Sequence, residues 1–233
     1  MTAEPKYIVP FSGRGDSYTR GEIQAVVAVM RGTETLTQGA HQAHFEERFK
    51  ACTGARQAFA VSSATGALEL AALLSRLGPK DEVILPAHTF AATAIPFGRT
   101  GARLVWADID AETRLVTAET IRRCLTPRTK VIIVVHLYGL VADMDPILEL
   151  ARPRGIRVIE DAAQALGARY KGRFAGTMGD FGVFSFHSHK NISTLGEGGM
   201  LTVHSEELAR LVPGLRHNGV RPYPLGRDKF WLP

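Results

Sequence analysis

From about residue 58 onward, short runs of apolar, β-branched residues alternate with longer stretches whose apolar positions recur at helical spacing. The runs predict strands at Ala58–Val61, Glu82–Leu85, Arg103–Ala107, Lys130–Val135, Arg157–Glu160, Gly182–Phe186 and Gly199–Val203. The stretches between them predict helices at Gly66–Leu77, Thr89–Gly98, Ala118–Cys124, Asp145–Arg152 and Glu206–Leu211. A strand that is apolar throughout is buried on both faces, and strands separated by helices pair in parallel through crossovers. The expected fold is α/β, with a mixed, mostly parallel sheet of about seven strands covered by helices on both faces. One junction breaks the alternation. Leu195-Gly-Glu-Gly-Gly199 is too short for a crossover, so one antiparallel member is expected there.

The ends read differently. Arg20–Met30 and His44–Cys52 have helical apolar patterns around a loop-like Leu36-Thr-Gln-Gly39. Residues 1–57 are therefore expected to form a helical segment that packs outside the sheet or reaches toward a partner subunit. Residues 58–220 form the large domain. Residues 221–233 carry Pro222, Pro224 and Pro233, close no element, and read as the start of a C-terminal region cut short.

With 45% hydrophobic and 22% charged residues, the chain can bury a sizeable core, which excludes global disorder. The net charge of +5 suits an anionic ligand without choosing one. No Lys/Arg run or basic aromatic stripe points to nucleic acid, and no apolar run is long enough to cross a bilayer. Cys52 and Cys124 stand outside any CxxC or Cys/His cluster, which argues against disulfide and zinc frameworks. With an early-charged N-terminus lacking a secretory h-region, they imply a cytoplasmic protein.

Four segments could carry chemistry. Val61-Ser-Ser-Ala-Thr65-Gly66 runs from a strand end into a helix start, where small residues and free N–H groups suit a phosphate; Ser63 or Thr65 would equally serve as an ordinary cap. Glu160-Asp161-Ala-Ala-Gln164 puts two carboxylates at the carboxyl end of a parallel strand, where ligands gather in open α/β sheets. An Asp there can pair with a protonated ring nitrogen, or simply cap a helix. Phe184-Ser185-Phe-His-Ser-His-Lys190 displays a lysine after a core strand, either a Schiff-base amine or a solvated loop residue. His187 and His189 lack a third partner for a metal. Pro86-Ala-His-Thr-Phe90 offers a ring face, or a core phenylalanine. Each signal is weak alone. All four end strands of one sheet, and together they supply phosphate, ring-face, ring-nitrogen and aldehyde partners.

These residues carry a likeness. The chain resembles the DegT/DnrJ/EryC1/StrS sugar aminotransferases, within the fold-type I enzymes that use pyridoxal 5′-phosphate (PLP). The likeness runs from about Phe11 to Val220 and includes Leu36-Thr-Gln-Gly39, Ser62-Ser-Ala-Thr65, Asp81-Glu-Val-Ile-Leu-Pro86 and Thr126-Pro-Arg-Thr-Lys130. It continues through Val135-His-Leu-Tyr-Gly139, Ala142-Asp-Met-Asp145, Glu160-Asp-Ala-Ala-Gln164, Tyr170-Lys-Gly-Arg173, Ser185-Phe-His-Ser-His-Lys190, Gly196-Glu-Gly-Gly199 and Arg216-His-Asn-Gly219.

The resemblance implies the large domain of a fold-type I transferase, with Lys190 as the Schiff-base lysine and proton carrier. It implies Asp161 at the pyridinium nitrogen, Gln164 near the phenolic oxygen and Phe90 stacked on the ring. Thr65, Gly66 and Ser185 would hold the phosphate. The implied reaction moves an amino group from an amino acid, usually glutamate, to a nucleotide-linked keto sugar, in a homodimer with shared active sites. A dehydratase relative would carry His where Lys190 stands. The main departure is length: family members continue into a smaller C-terminal domain. The alternative is therefore a truncated, catalytically incompetent PLP-binding remnant or assembly partner.

Overall fold

The computed structural model describes residues 18–220; the expectations for residues 1–17 and 221–233 lie outside the described residues. Seven strands form one sheet: β1 (Gln57–Val61), β2 (Glu82–Pro86), β3 (Arg103–Ala107), β4 (Thr129–Val135), β5 (Arg157–Asp161), β8 (Phe181–Ser185) and β9 (Gly199–Val203), in the order β1-β9-β8-β5-β4-β2-β3. The predicted strands are all present, with ends moved by at most a residue. Only β9 runs antiparallel to its neighbours, β1 and β8, as the short Gly-rich junction required.

Side chains alternate across a pleated strand, so a strand buried at every position is covered on both sides. That is the state of β2, β8 and β9, and nearly that of β4 and β5. Helices α3 (Ala64–Ser75), α4 (Ala91–Arg99) and α6 (Met144–Ala151) contribute Leu68, Phe97 and Ile147 to the larger apolar cluster. Helix α2 (Ala40–Thr53) brings Phe49 against Phe184, Phe186 and Met200 in a second cluster. The short helices α5 (Ala118–Arg122), α7 (Glu206–Ala209) and α8 (Val212–Arg216) complete the layers. Helix α1 (Arg20–Arg31) has a Thr19/Glu22 capping box and buries none of its own residues.

Three features depart from the sequence pattern. Helix α4 begins at Ala91, with Phe90 as its N-cap residue, so Thr89 and Phe90 stay outside the helix. A two-residue-per-strand hairpin, β6 (Arg169–Tyr170) and β7 (Arg173–Phe174), is too short to carry a period. Helix α8 contains Pro213 and Gly214, both weak helix formers by composition, and has no amphipathic signature. Because β1, β2, β4, β5 and β8 point the same way, the residues following each collect along one edge of the sheet.

Candidate active site

That edge holds a cavity of about 440 Å³, within the range of small-ligand sites. Thr65, Phe90, Asp161, Gln164, Ser185 and Lys190 all line it. Gly66 does not. Its N–H donates to Ser63 Oγ at 3.1 Å, and it lines a neighbouring hollow beside Arg216 instead.

The floor is built by β5. Successive residues of a strand face opposite sides, so the adjacent carboxylates part company. Glu160 turns into the protein and is wholly buried. Its Oε1 accepts from the N–H groups of Met178 and Gly179, both at 2.6 Å, and its Oε2 from Gly176 N–H and the His136 ring, both at 2.8 Å. Since His136 Nδ1 accepts from Ala142 N–H, Nε2 carries the hydrogen that goes to Glu160. Asp161 turns to the cavity, 6% exposed. Its Oδ1 accepts from Ala163 N–H at 3.1 Å and its Oδ2 from the Thr93 hydroxyl at 2.8 Å. Burial pushes the Asp161 carboxyl above the usual range, opposed by the Thr93 and Ala163 hydrogen bonds and, less strongly, by His136 and Lys190. No helix follows Asp161, so it caps none; the Ala163 bond closes a turn, and the carboxylate is displayed to the cavity.

At one end, α3 opens with Ser63 as its N-cap, the Oγ taking the Gly66 N–H. The other N–H groups of that first turn have no intrahelical partners, and the Thr65 hydroxyl is engaged by no other described residue. This loop is brought close by Gly199. A Cβ there would sit 2.5 Å from the Ser63 carbonyl carbon and 2.6 Å from Ala64 N. Gly199 pairs with Val61 on one side and Ser185 on the other, joining the α3 loop to the β8 end.

At the far side, Lys190 sits in the loop between β8 and β9, its N–H bonded to the His187 carbonyl at 2.8 Å. His187 and His189 pack edge-on at 4.9 Å, and His187 Nε2 lies 3.5 Å from Glu197 Oε1. Among the described residues no group of three His, Cys, Asp or Glu side chains is placed to hold a metal, and no helix is long and apolar enough to cross a membrane. Phe90 stands at the mouth, 74% exposed. The core alternative for it is wrong, because its position ahead of α4 turns it off the sheet.

Three participants were missed by the sequence reading: Thr93, His136 and Gly199. Thr93 left one trace, a hydroxyl four residues after Thr89 in the apolar first part of α4. A flat, anionic ring ligand would find a buried acid and an amine across one cavity, with a helix N-terminus beside them.

The DegT/DnrJ/EryC1/StrS aminotransferase family model matches residues 17–231. GDP-perosamine synthase of Caulobacter vibrioides is 41% identical over 208 residues, covering 89% of this chain and 55% of that protein. UDP-N-acetyl-3-dehydro-alpha-D-glucosamine 3-aminotransferase of Acidithiobacillus ferrooxidans is 41% identical over 200 residues, covering 86% of this chain and 54% of that one. A Streptococcus pneumoniae protein, solved as the PLP form of a sugar aminotransferase, superposes with a TM-score of 0.79 at 34% identity, over 87% of this chain and 54% of its own. The same protein is also solved in its PMP form. The chain spans about half the length of the curated relatives it matches. It belongs to the DegT/DnrJ/EryC1/StrS aminotransferase family.

Proposed function

We propose that the chain binds pyridoxal phosphate in the 440 Å³ cavity and carries the cofactor half of an aminotransferase acting on nucleotide-linked keto sugars. The observation that carries this reading is the placement of Asp161 and Lys190 on the walls of one cavity. The donor set fits the group. Asp161 would accept the ring N–H, and the Gln164 amide would donate to the phenolic oxygen. Thr65, the α3 N–H groups and Ser185 would hold the phosphate. Phe90 would cover one ring face.

When bound, the cofactor supplies an electron sink for breaking a bond at the amino-acid α-carbon. Asp161, as a carboxylate held by the Thr93 and Ala163 hydrogen bonds, would favour a proton on the ring nitrogen. Lys190 would meet the cofactor's aldehyde and, as a free amine, would carry the proton at the substrate α-carbon. The amino donor is glutamate, the acceptor a nucleoside-diphosphate keto sugar, and the working form a homodimer. The names of the relatives and the net charge of +5 support the acceptor.

A second reading has the chain holding the cofactor without turning it over. One experiment separates the two. Protein loaded with pyridoxal phosphate is given glutamate, then a nucleotide keto sugar, while the visible band is followed. Loss and return of the band supports the aminotransferase. A band unmoved by glutamate supports the second reading, and no band at all overturns both.

A further inference from the structure

The Thr93 hydroxyl has an unusual partner. A helix threonine commonly bonds back to a carbonyl three or four residues earlier. Thr93 Oγ1 instead donates to Asp161 Oδ2 at 2.8 Å, across 68 residues of sequence, and accepts from Thr89 Oγ1 at 2.8 Å. Thr93 is 1% exposed, so this hydroxyl is committed to the carboxylate rather than to water. Thr89 and Thr93 both line the cavity, and the two hydroxyls form a chain that starts at its wall and ends on the acid. Other ionisable groups lie around Asp161, but none of them donates to Oδ2. Lys190, His187, His189 and Glu197 line the cavity from the β8–β9 side, and the His136 ring is spent on Glu160 and Ala142.

We propose that Thr89 and Thr93 are a positioning relay that sets how strongly Asp161 draws on the ring-nitrogen proton of the bound cofactor. This rests on the reading of Asp161 given above. A donor on Oδ2 spreads the carboxylate charge and lowers its affinity for a proton. The proton then stays on the ring nitrogen, and the ring stays positive. Take the donor away and the carboxylate claims a larger share of that proton. A less positive ring in turn lets the nitrogen linked to Lys190 keep its own proton to higher pH. Because Thr93 also accepts from Thr89, its hydroxyl hydrogen is directed to Asp161, and the polarisation of one bond strengthens the next.

The test loads wild type, Thr93→Val, Thr93→Ser and Thr89→Val with pyridoxal phosphate. It follows the pH midpoint of the visible band, together with the ¹⁵N shift of the labelled ring nitrogen. Thr93→Val keeps the volume and drops the hydroxyl. Its midpoint should rise by ~0.5 unit or more, since a hydrogen bond to a charged group corresponds to about one unit of pKa or more. Its ring-nitrogen signal should move toward the unprotonated form. Thr93→Ser should match wild type, and Thr89→Val should shift the same way by less. Variants that bind cofactor with unmoved midpoints and ¹⁵N shifts overturn the relay and leave the cofactor reading standing. So does a Thr93→Ser shift as large as that of Thr93→Val, which would mean packing is the cause. A wild type without a band overturns the cofactor reading itself, and the relay falls with it.

Discussion

The backbone N–H of Tyr138 donates to Oε1 of Gln164 at 2.9 Å. Tyr138 reaches that position in the left-handed region, at φ 54° and ψ 24°, and is 77% exposed, its ring edge-on to His88. With its oxygen taken, Gln164 presents the amide nitrogen to the cavity. Gln164→Glu keeps the acceptor for Tyr138 and replaces the donor with a second acceptor. The cofactor's phenolic oxygen would then face negative charge. Fluorescence titration should show a fall in pyridoxal phosphate affinity of about tenfold or more, the loss expected for a charge-assisted hydrogen bond. Unchanged affinity would remove Gln164 from the site.

Asp161 should trade stability for function. Its folded pKa is raised, chiefly by burial, so the folded state binds the proton more tightly than the unfolded chain does. Its contribution to stability is therefore greatest below the unfolded carboxyl pKa and falls as pH rises through the folded one. Asp161→Asn removes the buried charge. Without cofactor, this variant should melt above wild type at pH 8, and the gap should close as pH falls toward 4. A gap that is constant with pH would contradict this.

Gly199 is required by contact rather than by backbone angle. A methyl group there meets the Ser63–Ala64 peptide, which cannot give way without moving the α3 N-terminus. Gly199→Ala should cost about 2 kcal/mol or more in urea unfolding, in the range of overpacked cores. It should also weaken inorganic phosphate binding, if that loop is the phosphate cradle. Gly66→Ala is the contrast. Its Cβ would meet Ser62 Oγ at 3.5 Å, an ordinary contact, so it should be neutral or stabilise α3 by up to about 1 kcal/mol.

Glu160 serves the fold beneath the site. Its carboxylate accepts from four donors and is wholly buried. Glu160→Gln leaves one oxygen to accept and sets an N–H₂ group against backbone N–H groups. It should lose about 3 kcal/mol or more in denaturant unfolding, as breaking a buried charged network does. A near-neutral result would mean that Gly176–Gly179 is held by something else.

Much of this was legible in the sequence because continuous apolar runs mark doubly covered strands, and the Gly-rich junction announced the antiparallel β9. The site segments were legible for a related reason: in a parallel sheet every strand end opens on the same edge. What stayed hidden is long-range or sub-periodic. Nothing local says that the Thr93 hydroxyl meets a carboxylate 68 residues away. Nor does the Glu160-Asp161 pair say which carboxylate faces the ligand; only the strand's start and register decide that. Core is the commoner fate of such a phenylalanine, yet the place of Phe90 as the residue before α4 put it in the open.

The central claim is that Lys190 is the amine that meets the cofactor across the cavity from Asp161. Borohydride reduction of protein mixed with pyridoxal phosphate, followed by peptide mass mapping, tests it most directly. The reduced pyridoxyl mass should fall on the peptide containing Lys190 and vanish in Lys190→Ala. Label spread over Lys50, Lys80, Lys130 and Lys171, with Lys190 no more modified than the rest, would contradict it.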